Sequence, residues 1–236
     1  MSPMSPRILR PRATGFNPKS ISGLLVWLDA ADSSTYTLAT GVSEWRDKSG
    51  NGRTFTQGTG NNQPAISSTT QNGKTLFEFD GVNDRLQATG NWLQIPNCTI
   101  FAAFRRASGA FGGILSSSGN LDASPGLLVD SSSAAMRGYN NLSIFGSFTT
   151  FGIACGTSSA GATVARTNGT QVDSDAASGS LETSQTTTTV GTYRQTAANF
   201  FVGTIGEIMA WNRVLSASEI TTVTRYLGKK WGVTVA

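Results

Sequence analysis

The stretch Phe200–Val233, FFVGTIGEIMAWNRVLSASEITTVTRYLGKKWGV, reads as a buried strand followed by an amphipathic helix. Its first part, Phe200–Trp211, is apolar and interrupted by glycines, which is typical of a strand inside a β-sandwich. Ser216 and Glu219 then match a capping box, in which each side chain bonds to the backbone amide of the other residue. We therefore predict one buried strand and one helix that begins at Ala217.

The apolar residues of the predicted helix recur every three or four positions: Ile220, Val223, Tyr226, Leu227 and Trp231. This spacing places them on one face of the helix. Lys229 and Lys230 lie near its C-terminal end, where the helix dipole favours positive charge. Because the rest of the chain reads as β-structure, we expect the helix to cover a sheet or close one end of the sandwich.

The composition predicts one large, turn-rich β domain. The chain has 236 residues, of which 38% are hydrophobic and only 14% are charged, and it contains 27 glycines. The net charge of +4 has a local origin, since the first nineteen residues carry Arg7, Arg10, Arg12 and Lys19 and no acidic residue. The remaining chain has fourteen basic and fourteen acidic residues, so we predict no nucleic-acid partner.

Several classes of site are excluded or disfavoured by residue usage. Histidine is absent, which excludes His-dependent triads and His metal sites. Cys98 and Cys155 lie in apolar runs that predict buried free thiols, with one disulfide as the alternative. No stretch has the apolar core of a signal peptide or the length of a membrane span, so we predict no membrane partner.

Residues 1–19 are predicted to form an extended basic arm. Pro3, Pro6, Pro11 and Pro18 each fix φ and lack an amide donor, which disfavours a helix or a central strand. One interpretation is a strap that orders along a partner, and the alternative is a disordered terminus. The candidate partner contacts are Arg7, Ile8, Leu9, Arg10, Arg12 and Phe16.

The globular part, residues 20–236, contains five blocks in a fixed order. They are GLLVWLDAADSST from Gly23, VSEWRDKSGNG from Val42, FEFDGVNDRL from Phe77, GTIGEIMAWNRVLSASE from Gly203 and YLGKKWGV from Tyr226. Together these blocks resemble the laminin-G-like branch of the concanavalin A-like jelly rolls, in a variant frequent in bacteriophage virion proteins. The resemblance implies an all-β jelly-roll β-sandwich with one C-terminal α-helix. It does not specify an activity, because jelly rolls include lectins, glucanases, adhesion modules and structural parts.

The pattern of apolar residues predicts strands throughout this globular part. They span Leu24–Leu28, Val42–Trp45, Thr75–Asp80, Cys98–Arg105, Gly112–Ser116, Gly126–Asp130, Leu142–Thr149 and Phe151–Cys155. Asn168 and Gly169 predict a type I′ turn, because both residues readily take the positive φ angles that this turn requires.

Two segments are rich in oxygen-bearing side chains of the kind that bind calcium. Asp47–Gly52 has the first half of a calcium loop, but its twelfth position is Gly58, so a structural turn is favoured. Asp80–Asp84 forms a second cluster that lacks a full ligand set, and calcium there is kept as an alternative. We predict no metal and no cofactor.

Glycoside hydrolysis requires two carboxyl groups that flank the scissile bond. The nearest approach to the Glu-x-Asp-x-Glu pattern of glucanases is Glu78 with Asp80, and Val82 stands where the third member is needed. Glu207 stands alone. We therefore predict that the protein is not an enzyme.

Carbohydrate binding requires only polar loops and an aromatic platform for a sugar face. The candidate residues are Trp92, Tyr139, Asn141 and Tyr193, whereas the other four tryptophans lie in blocks that read as core.

The resemblance and the basic arm predict a non-enzymatic bacteriophage structural protein located in the virion and assembled in the host cytoplasm. The first choice is a capsid decoration (head-surface) protein, attached through its arm to the major capsid protein or another virion protein as a homo-oligomer. The alternative is a tail or fibre module that binds host surface glycans. A glycan hydrolase is the third hypothesis, and it lacks the required carboxylates.

Overall fold

The computed structural model describes residues 15–90, 92–107, 111–117, 126–129, 133–138, 141–176, 186–193 and 199–236. The strands are β1 (Leu24–Asp29), β2 (Tyr36–Leu38), β3 (Val42–Trp45), β4 (Phe55–Thr56), β5 (Ala65–Ile66), β6 (Phe77–Asp80), β7 (Leu86–Thr89), β8 (Cys98–Arg106), β9 (Gly112–Ser117), β10 (Gly126–Val129), β11 (Ala134–Gly138), β12 (Asn141–Gly146), β13 (Gly152–Ser158), β14 (Ala162–Thr167), β15 (Thr170–Ala176), β16 (Thr187–Val190) and β17 (Val202–Trp211). One α-helix, α1 (Ala217–Trp231), follows β17.

The strands form two antiparallel sheets. One sheet lies between the other sheet and α1, and we call it the middle sheet. It has the order β15-β14-β13-β8-β17-β6-β5, and β1 pairs with the second half of β17. The outer sheet has the order β12-β11-β10-β9-β16-β7-β4-β3-β2. This architecture confirms the predicted jelly-roll β-sandwich with one C-terminal helix. None of the helices in the described ranges has the length and apolarity that crossing a bilayer demands.

The middle sheet is buried on both faces. One face packs against the outer sheet and includes Ile100 and Phe104 of β8. The other face packs against α1 and includes Phe101 of β8 with Met209 and Trp211 of β17. Because alternate residues of a strand point to opposite faces, a strand between two apolar layers is apolar at nearly every position. The runs of apolar residues in β8 and β17 therefore match the position of the middle sheet between two other layers, the outer sheet and α1.

Helix α1 begins at Ala217, as predicted, and ends at Trp231. The Ser216 hydroxyl accepts from the Glu219 amide at 3.3 Å, and the Glu219 carboxylate accepts from the Ser216 amide at 2.8 Å. Gly232 ends the helix with a φ of 68°, a left-handed conformation that favours glycine. The buried face consists of Ile220, Val223, Thr224, Leu227, Gly228 and Trp231. Trp231, predicted to lie on the apolar face, is fully buried, whereas Tyr226, predicted on the same face, is half-buried at its margin.

Other predictions are confirmed or corrected in detail. Asn168 and Gly169 have φ angles of 50° and 93° and join β14 to β15, as predicted. The predicted strand Leu142–Thr149 ends at Gly146, because Phe148 turns inward and stacks on Phe104 with ring centres 4.5 Å apart. Both cysteines are free and buried, which confirms the predicted thiols.

The extended-arm prediction is wrong for residues 15–19. Asn17 caps a short 3₁₀ turn at Pro18–Ser20, and Pro18 is buried. Residues 1–14, which contain Arg7, Ile8, Leu9, Arg10 and Arg12, lie outside the described residues, and their arm role stays a prediction.

Candidate functional site

The oxygen atoms of Asp47 accept hydrogen bonds from its own turn and from β1. Oδ1 accepts from the backbone amides of Trp27 at 2.9 Å and Ser49 at 2.7 Å. Oδ2 accepts from the Ser49 hydroxyl at 2.6 Å and the Arg53 amide at 3.3 Å. These contacts support the structural-turn interpretation of this segment.

Asp80 and Asp84 likewise fold their own turn. Oδ1 of Asp80 accepts from the Val82 amide at 2.8 Å, and Oδ2 of Asp84 accepts from the Asp80 amide at 2.9 Å. Within the described ranges, no group of three or more Cys, Asp or Glu residues is arranged to hold a metal ion. Glu78 is exposed in the middle of β6, and Val82, in the third position of the glucanase pattern, has no carboxyl group.

The aromatic residues predicted to bind glycans are not presented as free platforms. Trp92 is half-buried, and the guanidinium group of Arg53 lies 4.8 Å from its ring centre. Tyr193 is only 3% exposed and packs against Phe111, with ring centres 5.1 Å apart. The Tyr193 prediction is therefore wrong, because a buried ring cannot stack on a sugar.

The other two glycan candidates cannot be placed. Tyr139 lies outside the described residues, and Asn141 opens β12 but its side chain is outside the described part.

A buried carboxylate under α1 is a feature that the sequence reading missed. Glu207 is fully buried on β17. Its Oε1 accepts from the Trp27 indole at 2.6 Å and the Tyr226 hydroxyl at 2.9 Å. Its Oε2 accepts from the Trp231 indole at 2.8 Å and lies 2.8 Å from the Lys230 ammonium nitrogen. Four donors thus satisfy one carboxylate, as a buried charge requires.

The charge of Glu207 belongs to a small ionic network. Asp29 lies opposite Glu207 in the β1–β17 pairing. Lys230 bridges the two carboxylates, with its ammonium nitrogen 2.6 Å from Oδ1 of Asp29. The ammonium nitrogen of Lys48 lies 2.8 Å from Oδ2 of Asp29 and 2.7 Å from Oδ2 of Asp32. We call Asp29, Asp32, Lys48, Glu207 and Lys230 the Glu207 cluster.

The pKa values of Glu207 and Asp32, and that of the neighbouring Tyr226, are shifted in this network. Burial raises the pKa of Glu207, with Asp29 adding to the rise and Lys230 opposing it. Burial and the Glu207 carboxylate raise the pKa of Tyr226, so this hydroxyl remains a hydrogen-bond donor. The bond from Lys48 lowers the pKa of Asp32 to about 2. These groups therefore stabilise one another within one hydrogen-bonded network.

An open cleft of ≈ 690 Å³ lies beside this cluster and holds groups that can bind a ligand. One wall is the segment Gly15–Phe16, and a second is formed by Asn72 and Lys74. The third is a face of α1 that carries Thr222, Arg225, Tyr226, Lys229 and Lys230. We call this the α1 cleft. Its volume is within the range of small-molecule sites.

The turn 71–74 is fastened to the end of α1. Asn72 takes a positive φ of 50°, which closes the chain into a tight turn. The side-chain Nε2 of Gln71 donates to the Trp231 carbonyl at 2.8 Å, and the side-chain Nδ2 of Asn72 donates to the Lys230 carbonyl at 3.0 Å. These bonds satisfy carbonyl groups that a helix leaves unpaired at its C-terminus. The second wall is therefore held at a fixed distance from the helix.

Phe16 forms an aromatic pair with Tyr226. The ring centres are 5.4 Å apart, and the ring planes are inclined at 59°. Phe16 is positioned by the 3₁₀ turn that follows it, because the Asn17 side chain accepts from the Lys19 amide at 3.0 Å. The sequence reading selected Phe16 as a contact for another protein, whereas the structure places it against this chain's own helix.

The helix wall has a spacing that could have been recognised in the sequence. Thr222, Arg225, Tyr226 and Lys229 occur at positions i, i+3, i+4 and i+7, which share one side of a helix. The sequence reading assigned Tyr226 to the buried face and saw the lysines only as partners of the helix dipole. Phe16 and the turn 71–74 contact α1 from distant parts of the chain, and no pattern of neighbouring residues predicts these contacts.

Comparisons with known proteins identify the fold. No protein-family model and no curated protein sequence matches the chain. Trypanosoma rangeli sialidase in complex with sialic acid matches 89% of this chain at 17% identity with a TM-score of 0.61. The botulinum neurotoxin serotype G binding domain matches 88% at 12% identity with a TM-score of 0.64. The binding domain of botulinum neurotoxin DC in complex with SialylT matches 87% at 12% identity with a TM-score of 0.62.

These matches cover only part of the known proteins. The chain spans 33% of the sialidase, 53% of the serotype G domain and 52% of the DC domain. At such identities the likeness extends to the fold and not to an activity. By fold, this chain is similar to the lectin-like jelly-roll β-sandwiches found in these proteins.

Proposed function

We propose that this chain is a non-enzymatic carbohydrate-binding module and that the α1 cleft is its binding site. The observation that carries the proposal is the Phe16–Tyr226 pair in that cleft, where two half-buried rings lie beside the polar side chains of Asn72 and Thr222. Small-molecule sites combine apolar or aromatic walls with a few placed polar groups. A sugar ring has one apolar face and a rim of hydroxyl groups, and this arrangement is complementary to it.

The structural neighbours support the same class of ligand. The sialidase was solved with sialic acid, and the neurotoxin DC binding domain with SialylT. Their similarity to this chain is a similarity of fold, so it supports saccharide binding only as a class.

The cleft contains binding groups but no apparatus for hydrolysis. Its described lining residues include no carboxylate. Asp29 and Glu207 lie behind Lys230, where Glu207 is fully buried and already accepts from four donors. A glycosidase needs an acid and a second carboxylate on either side of the scissile bond. Binding without cleavage is therefore the activity that this geometry supports.

A glycan array probed with the full-length protein tests the proposal. We expect a restricted set of glycans to bind, and Phe16→Ala to weaken that binding about tenfold through the loss of one stacking ring. Tyr36→Ala removes a half-buried ring that does not line the cleft and is the matched control, so it should retain binding. Binding of no glycan, or release of reducing sugar from a bound one, would show that the proposed function is wrong.

We further propose that the module belongs to a virion surface and is attached through residues 1–14. The basis is the resemblance to jelly rolls of bacteriophage virion proteins, together with the three arginines of this segment. Deleting residues 1–14 should abolish co-sedimentation of the protein with virions and should leave its glycan binding intact. This deletion spares the folded segment that begins at Gly15. Unchanged co-sedimentation of the truncated protein would place attachment elsewhere.

A further inference from the structure

The walls of the α1 cleft carry an excess of positive charge. Lys74, Arg225, Lys229 and Lys230 all line it, and no acidic residue is among its described lining residues. Lys230 is neutralised from behind, because its ammonium nitrogen lies 2.6 Å from Asp29 and 2.8 Å from Glu207. The positive charge of Lys230 is therefore neutralised within the folded protein.

The other three cations have no such partner. In the described part of the chain, no carboxylate lies within ion-pair distance of Lys74, Arg225 or Lys229. Arg225 and Lys229 are exposed, and Lys74 is half-buried. They come from two elements, the turn 71–74 and α1, which the Gln71 and Asn72 side chains fasten together. Three unneutralised charges are thus directed to one cleft by a fixed framework.

Neither the helix nor the adjacent segment of the chain removes this charge. The C-terminal end of α1 contributes about half a negative charge, which three cations exceed. Residues 1–14, which precede the Gly15–Phe16 wall, contain three arginines and no acidic residue. That segment therefore has no carboxylate side chain with which to neutralise the cleft.

We infer that the α1 cleft is selective for acidic saccharides, which bear carboxylate or sulfate groups. This inference rests on the proposed function and specifies the ligand class. The Phe16–Tyr226 pair would take the apolar face of a sugar ring, and the cations would take its acidic groups. Arg225 is the leading candidate for direct contact, because a guanidinium group donates two parallel hydrogen bonds to one carboxylate or sulfate.

Titration calorimetry on the full-length protein tests this inference with four probes. They are a galacturonate hexasaccharide, a heparin-derived sulfated hexasaccharide, neutral maltohexaose and a single-stranded DNA decamer. We expect one or both acidic saccharides to bind at least tenfold more tightly than maltohexaose. The two acidic probes distinguish carboxylate from sulfate as the recognised group. We also expect their affinity to fall as salt is raised from about 0.05 M to about 0.5 M, as for exposed charges.

Substitutions in the cleft locate the effect. Arg225→Gln and Lys229→Gln should each weaken binding of the acidic probe about tenfold, the usual effect of losing one charged hydrogen bond. Arg105→Gln is the matched control, because Arg105 is an exposed cation of β8 outside the cleft. It changes net charge equally and should leave affinity within about twofold. Both cleft residues are exposed, so unfolding midpoints should not change.

The contradicting outcomes are distinguishable. Equal binding of maltohexaose and the acidic probes, insensitive to both cleft variants, would overturn the acidic-ligand inference and leave saccharide binding intact. Binding of none of the three saccharides would overturn both. DNA binding at least as tight as that of the acidic saccharides, and lost in Arg225→Gln, would show a site for polyanions without sugar selectivity and would also overturn the inference.

Discussion

The Tyr226 hydroxyl donates a 2.9 Å hydrogen bond to Oε1 of Glu207, and this bond joins the open cleft to the buried interior. Tyr226 lines the α1 cleft, whereas Glu207 is fully buried beneath α1. The same carboxylate is 2.8 Å from Lys230, a second cleft residue. Two cleft side chains are thus positioned by one internal group, and the cleft is preorganised before a ligand arrives.

Glu207→Gln should strongly destabilise the fold. A glutamine side chain has one acceptor oxygen, so its amide group would face donors that now bond to the carboxylate. It would also leave Lys230 paired with Asp29 alone. We expect a loss of about 3 kcal/mol or more in the free energy of unfolding, as when a buried ion pair loses one partner.

Tyr226→Phe is the matched control for that experiment, because it removes one bond to Glu207 and keeps the ring. Its cost should be about 1 kcal/mol when both variants are measured by urea unfolding. An equal or larger loss for Tyr226→Phe would show that the carboxylate is not the centre of the network.

Gly206→Ala tests how tightly α1 packs on the middle sheet. A Cβ atom at this position would lie 2.6 Å from Cη2 of Trp231, a rigid ring that is fully buried. We expect a loss of about 1–3 kcal/mol in thermal or urea unfolding, as for overpacking of a core. Gly58→Ala is the control, because a Cβ atom there meets nothing within 4 Å. Equal stability of the two variants would mean that Trp231 can move away.

Much of this fold could be predicted because its signals are local. The Ser216–Glu219 capping box and the Asn168–Gly169 turn involve residues that are neighbours in sequence, and each formed as predicted. Burial of both faces of β17 was visible as a nearly continuous apolar run. The predicted arm failed at residues 15–19, because the packing of Phe16 on Tyr226 joins parts of the chain about 210 positions apart.

The candidate site could not be predicted for the same reason. Glu207 reads as an isolated acid between Gly206 and Ile208, and its partners come from β1 and α1. Trp92 and Tyr193 were chosen as aromatic residues in polar surroundings, but sequence alone does not show that Arg53 covers one and that the core encloses the other. Only the helix wall of the cleft could have been predicted, from the spacing of Thr222, Arg225, Tyr226 and Lys229 along one side of α1.

Asp84 should make stability depend on pH in the weakly acidic range. Burial raises the pKa of this carboxyl group from 3.8 to about 6. The folded protein therefore holds the proton more tightly than the unfolded chain does. The stability from this group is complete below pH 3.8, falls as the pH rises, and is lost above about pH 6.

The comparison with Asp84→Asn isolates this effect. The side-chain oxygen of asparagine can still accept from the Asp80 amide, but it does not titrate. The unfolding free energy of the native protein minus that of the variant should decrease between about pH 4 and pH 6. A difference that is constant, or that rises over this interval, would contradict the raised pKa.

The two cysteines should be inert until the protein unfolds. Cys98 and Cys155 are free and buried, and burial raises the pKa of each thiol to about 12. Because the thiolate is the reactive form, neither should react with a thiol reagent at neutral pH in the native state. Titration in denaturant should find two free thiols. Rapid labelling of native protein would mean that the sandwich opens locally at β8 or β13.

Amide chemical shifts recorded by NMR during titration with an acidic hexasaccharide test the central claim most directly. If the α1 cleft is the saccharide site, the largest shifts should fall on Asn72–Lys74 and on Thr222–Lys229, with smaller ones at Phe16. The amides around Trp92 and β12 should remain unchanged. Shifts concentrated at Trp92 or β12, with α1 unaffected, would contradict the proposed site and place carbohydrate recognition outside the α1 cleft.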